Sequence, residues 1–108
     1  MATQLQFLAP TSKQDARYPL IKLVGSATLD VASLVDAAGA TSTITATGVV
    51  LGDFVLVSFG VDLQGITVTA YVSAADTISV RVQNETGGTI DLASTTVRYV
   101  VFDKNVGT

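Results

Sequence analysis

The sequence predicts an all-β protein: a single β-sandwich of about seven or eight antiparallel strands, entered through an extended N-terminal arm. Three observations predict it. Period-two alternation recurs at residues 66–73, 77–83 and 96–102, and a strand sends successive side chains to opposite faces. These runs are rich in Val, Ile and Thr, whose branched side chains suit a pleated sheet better than a helix. Gly and Asp punctuate the chain at the spacing of short strands, the pattern of two packed sheets.

Taken in order, residues 1–24 form the arm and an edge strand, and residues 25–108 the sandwich. The arm is polar and irregular but carries Leu5, Phe7, Leu8 and Tyr18, followed by Leu20 and Ile21. Pro19 lacks an amide proton and biases Tyr18 toward an extended conformation. These apolar side chains need cover, which comes either from the arm's own domain or from a neighbouring subunit. Residues 25–31 read as a short strand, and residues 32–40 as a loop or single helical turn, because Ala-Ala-Gly interrupts any helical pattern. Residues 41–47 alternate Thr against Ile44 and Ala46. Residues 54–59 are apolar at both parities, which predicts burial on both sides, by the other sheet or by another subunit. In residues 66–73, Ile66, Val68, Ala70 and Val72 share one face; in residues 77–83, Ile78, Val80 and Val82 do. Only Ala74, Ala75 and Asp76 separate the two runs, so they form an antiparallel hairpin. Residues 84–94 are the longest connection near the C-terminus, bending at Gly87 and Gly88. Jelly-roll and immunoglobulin-like topologies both fit this order.

At 108 residues the chain has the size of one domain. It is 48% hydrophobic and 14% charged, against a usual charged share of about 25%. Either some apolar surface meets other chains, since large exposed apolar patches are rare on monomers, or Ala, Val and Thr raise the total without forming a patch. The formal charge is −3 and the six Lys and Arg residues are scattered, so no positive field is present to attract nucleic acid. No apolar run reaches the length of a membrane span. No cationic leader precedes Leu5 to Leu8, which predicts synthesis in a cytoplasm rather than secretion.

Catalytic chemistry has little to work with. The chain holds no histidine and no cysteine, which removes the commonest general base, the usual nucleophile pairs and the commonest zinc ligand. The sequence therefore predicts no enzyme, no cofactor and no metal centre. Asp30, Asp36, Asp53, Asp62, Asp76, Glu85, Asp91 and Asp103 are isolated and fall mostly at turns, where Asp accepts from local backbone amides; two converging carboxylates or a loop calcium are the alternatives. Asn84-Glu-Thr86 matches the N-glycosylation pattern, without a leader to give it meaning. Tyr71, Arg81 and Arg98 each oppose the inward Val and Ile of their strands. They form either a solvated face with Arg stems over tyrosine or a subunit contact, for which Tyr and Arg are favoured.

The run Thr69-Ala-Tyr-Val-Ser-Ala-Ala-Asp-Thr-Ile-Ser-Val-Arg-Val-Gln-Asn-Glu-Thr-Gly-Gly-Thr-Ile-Asp91, preceded by Thr43-Ile-Thr-Ala-Thr-Gly48 and Leu51-Gly-Asp53, resembles small β-sandwich structural proteins of tailed bacteriophages, above all capsid decoration or cement proteins. The similar region spans residues 27–102. The resemblance implies a jelly-roll-like homotrimer on the capsid surface of the virion, made in the bacterial host cytoplasm and clamping copies of the major capsid protein. Chain-end arms often make such contacts in these proteins, which here points to residues 1–24, although they match no motif of the family. The expected capsid or subunit contacts are Leu5, Phe7, Leu8, Tyr18, Phe54, Tyr71, Arg81 and Arg98. The alternative is a carbohydrate- or receptor-binding sandwich of a phage tail or fibre, disfavoured by the lack of tryptophan.

Overall fold

A computed structural model describes residues 21–105. Leu5, Phe7, Leu8 and Tyr18, and the greater part of the expected arm, lie outside the described residues. The described chain is all-β, with six strands: β1 (Ile21–Leu29), β2 (Gly39–Thr45), β3 (Phe54–Phe59), β4 (Thr67–Ala74), β5 (Thr77–Gln83) and β6 (Thr95–Phe102). They make two three-stranded antiparallel sheets, ordered β1-β6-β3 and β2-β5-β4. Six strands stand where the sequence suggested seven or eight, in part because the runs on either side of Gly25 are one strand.

That continuity has a steric cause. Gly25 lies opposite Tyr99 in the β1–β6 register, and a Cβ at position 25 would run into the Tyr99 ring and hydroxyl. The inward ring takes the space that the missing side chain leaves, so the glycine is a seat for an aromatic and not a break in the strand. Gly25→Val should therefore cost about 1–3 kcal/mol through overpacking. Thermal unfolding would read this as a lower Tm, with part of the loss recovered in the Gly25→Val/Tyr99→Leu double variant.

The sheets face each other through their central strands. Val97, Tyr99 and Val101 of β6 pack against Ile78 and Val80 of β5, together with Ile44, Val49 and Val72. The alternating pattern placed Ile66, Val68, Ala70, Val72, Ile78, Val80 and Val82 inward; Val68 and Ala70 are half-buried and the other five buried. The β4–β5 hairpin forms with Asp76 in the left-handed region, φ 62°. Its carboxylate accepts from the Gly48 amide at 2.7 Å, which ties the hairpin tip to the turn after β2.

At the other end the two long connections close a smaller core. Val31, Leu34, Ile66, Val82 and Leu92 are buried there, and Leu34 and Ile90 exchange backbone hydrogen bonds of 2.8 and 2.9 Å. Residues 30–38 contain no helical turn. Asn84, fully buried, sits between these connections. Its Nδ2 donates to the carbonyls of Leu34 and Gly88, both at 2.8 Å. Its Oδ1 accepts from the Thr86 amide at 3.0 Å and the Thr86 hydroxyl at 2.8 Å. The amide nitrogen of the apparent glycosylation signal is thus committed to the interior.

Candidate interaction surface

Residues directly opposed across a sheet share a face, so the strand registers fix what the outer side of the β1-β6-β3 sheet presents. One row is Ile21, Phe102 and Phe54; the next is Val24, Val100 and Leu56; the third is Ser26, Arg98 and Ser58. Six apolar side chains therefore adjoin one another on the side facing away from the core, and the polar row bounds them. Exposure is 64% at Ile21, 62% at Val24, 53% at Phe54 and 63% at Leu56. A patch of this kind is among the largest that a soluble monomer exposes, and such patches often mark interaction sites.

The β3 strand forms the margin of this face, and the apolar surface continues around it. Among the described residues β3 pairs only with β6, on one of its two edges. Two grooves run between the other edge and β4, the matching edge of the other sheet. One, of about 520 Å³, is lined by Phe54, Leu56, Ala70, Tyr71 and Phe102 among others. The other, of about 630 Å³, lies along Val55, Val57, Phe59, Leu63 and Val68.

Asp53 anchors the start of β3. Its carboxylate is buried and receives the Lys22 ammonium at 2.9 Å, the Val50 amide at 3.0 Å and the Lys104 amide at 2.9 Å. Burial pushes the carboxyl up, but the Lys22 hydrogen bond, the two amides and the Lys22 charge outweigh it and hold the group below its ordinary value. The arrangement fastens three chain segments where the apolar face begins.

Comparison with protein-family models, with curated proteins and with solved structures finds no match.

Of the residues singled out in the sequence, the structure brings Phe54 and Tyr71 to one groove. Phe54 is exposed on the outer face of its sheet, so among the described residues β3 is covered on one side only. Arg81 lies on the outer face of the β2-β5-β4 sheet, where its guanidinium donates to the Thr41 hydroxyl and to Gln83 Oε1. Arg98 is on the other sheet, facing the opposite way, so the three-residue cluster of Tyr71, Arg81 and Arg98 does not form. Val24, Leu56, Val100 and Phe102 were not singled out as contacts. Their signal was present in Tyr99-Val-Val-Phe102, where apolar residues occupy both parities of a strand.

Asp62 and Asp103 behave as turn residues, accepting from the Gln64 and Asn105 amides two positions on, whereas Asp36 accepts from the Gly87 amide 51 positions away and joins the two long connections. No group of three potential metal-ligating side chains occurs among the described residues. No helix among them is long and apolar enough to cross a membrane.

Proposed function

We propose that this chain is a structural virion protein that decorates and stabilises a bacteriophage capsid, binding as an oligomer between capsid subunits. The observation that carries the self-association is the apolar outer face of the β1-β6-β3 sheet. The phage assignment rests on the sequence resemblance. A rigid sandwich with one greasy face suits a repetitive lattice, because homo-oligomers bury one patch repeatedly under closed symmetry. Weak single contacts then gain avidity from effective concentration. The trimer and the jelly-roll-like form belong to this reading; a sandwich of seven or eight strands requires strands beyond the six described.

Two measurements test it. The purified chain should sediment as a trimer at micromolar concentration, and it should bind expanded phage heads and raise their resistance to heat or chaotropes. A monomer that ignores the heads would sink the proposal. Leu56→Glu places a charge in the apolar row without touching the core. It should weaken self-association by about 100-fold or more, as expected for an unpaired charge trapped at an interface, while the monomer keeps its fold by circular dichroism.

The groove holding Phe54, Tyr71 and Phe102 favours a second reading, a carbohydrate- or receptor-binding module of a tail or fibre. Glycan-array binding abolished by Tyr71→Ala would select it over decoration.

A further inference from the structure

We infer that the outer face of the β2-β5-β4 sheet binds a carboxylated glycan, with the Arg81 guanidinium taking the carboxylate and the threonines beside it meeting ring hydroxyls. The site stands apart from both readings above, since it uses neither the apolar face of the other sheet nor the groove at Phe54.

The two sheets turn opposite characters to solvent. Where one shows apolar rows, the registers of the other set Thr41, Arg81 and Thr69 in one row and Thr43, Ser79 and Tyr71 in the next. Neither row holds an aliphatic or an acidic side chain. Ser79 is only 4% exposed although it points outward, and its neighbours Thr43 and Tyr71 are exposed. It is therefore the floor of a shallow dip beside Arg81. The hydroxyls alone carry nothing, because threonine suits any pleated surface. The placement of Arg81 carries the argument.

Its position comes first. Gly39 lies opposite Gln83, and a Cβ at position 39 would run into the Gln83 amide oxygen and Arg81 Nη2. The guanidinium thus lies across the sheet over the glycine. It is also held there: Nη1 donates to the Thr41 hydroxyl at 3.4 Å and Nη2 to Gln83 Oε1 at 3.1 Å. Gln83 is fixed in turn, its Nε2 donating to the Ala37 carbonyl at 3.0 Å and to Glu85 Oε2 at 2.7 Å. Both acceptors of Arg81 are neutral, and no carboxylate of the described residues lies within 4.0 Å of it. The remaining donors of the fork have the geometry that grips a carboxylate.

The surroundings select a sugar over a peptide. The face lies over β5, which is paired on both edges, so a peptide cannot add there as a strand. Threonine hydroxyls both donate and accept, as the hydroxyls of a sugar ring do. The net charge of −3 opposes indiscriminate capture of polyanions, which leaves the attraction local to Arg81. The site also stays open when the apolar rows on the far side of the sandwich are covered.

Isothermal titration of the whole chain with an oligogalacturonate and with sialyllactose tests this, against methyl-esterified oligogalacturonate and lactose. Binding of at least one acid and neither neutral form is expected, and the acid that binds tells a uronic from a sialic source. Arg81→Gln should weaken it about tenfold or more through loss of charge-assisted hydrogen bonds. Gly39→Ala keeps the charge but displaces the guanidinium, so it should also weaken binding. Leu56→Glu should leave binding unchanged, which separates this site from self-association. Circular dichroism checks the fold of each variant. Failure of both acids to bind, or an Arg81→Gln chain that binds like wild type, would overturn the inference. Binding lost in Tyr71→Ala but kept in Arg81→Gln would assign the sugar to the groove instead and defeat this site. Capture of a glutamate-rich peptide with no response to either sugar would refute the ligand class.

Discussion

Asn84→Ala should destabilise the fold by about 3 kcal/mol or more, which for a domain of this size lowers Tm by roughly 12–24 °C at some 4–8 °C per kcal/mol. All four hydrogen-bonding positions of the Asn84 side chain are used. Truncation leaves the Thr86 amide without its partner and takes one of two donors from each carbonyl, Leu34 keeping the Ile90 amide and Gly88 the Thr86 hydroxyl. A buried polar group left unsatisfied costs about 1–3 kcal/mol, and the Leu34 bond is wholly buried. Asn84→Asp should be at least as damaging at neutral pH, because a carboxylate oxygen then faces two carbonyl oxygens with no proton to share. The introduced carboxyl would have its folded pKa raised by that environment, so this variant should gain stability as pH falls toward its folded pKa, the reverse of ordinary acid denaturation. Chemical denaturation at pH 7 and pH 4.5 measures both effects. An Asn84→Ala variant within about 1 kcal/mol of wild type would show that water replaces the side chain freely and that the node is not structural.

The two long connections explain why so much depends on one amide. Residues 30–38 and 84–94 carry little regular pairing beyond the Leu34–Ile90 bridge and the bonds linking Ala37 and Ala38 to Asn84. Asn84 reaches across 50 positions to Leu34 and four positions to Gly88. It therefore fixes both loops at the end of the sandwich away from the exposed apolar rows. Loss of this node should loosen the smaller core around Leu34 and Leu92 before the main one.

What the sequence showed and what it hid follow from the range of each interaction. The β4–β5 hairpin was legible because everything that makes it is local: strict alternation, β-branched side chains and a short turn at Asp76. β3 was legible at the residue level for the same reason. Its doubly apolar pattern announced a second apolar face, but the rest of that face belongs to β1 and β6. Only the register Val24–Val100–Leu56 makes it a surface, and register between strands so far apart in sequence leaves no local trace. Gly25 was misleading because a glycine inside a strand pattern ordinarily marks a bend, and the Tyr99 ring that fills its place comes from 74 positions later. Asn84 looked like a modification signal, since a polar residue beside Glu85 and Gly87 gives no hint of full burial. The cluster of Tyr71, Arg81 and Arg98 failed because alternation tells which side of its own strand a residue takes, not which sheet the strand joins.

Asp53→Ala should cost about 2–4 kcal/mol, the second large effect, and its pH dependence separates the charge from the packing. Removal of the carboxylate orphans the Val50 and Lys104 amides and leaves Lys22 unpaired; the exposed part of Lys22 moderates the last of these through solvation. The Asp53 carboxyl is held below its ordinary value of 3.8 in the folded chain. A group with a depressed folded pKa contributes stability that is fully present above the unfolded value and lost as pH falls through the folded one. The stability difference between wild type and Asp53→Asn should therefore be constant from neutrality down to about pH 5 and shrink only below pH 3.8. Acids common to both proteins cancel in that difference. A gap that closes already between pH 7 and pH 5 would mean that the carboxyl is raised rather than lowered and that burial outweighs the three donors. Because Asp53 fastens Lys22 of β1 and the segment after β6 beside Phe54, the same substitution should also disorder the Ile21–Phe102–Phe54 row. Self-association should then weaken together with stability, whereas Leu56→Glu weakens self-association alone.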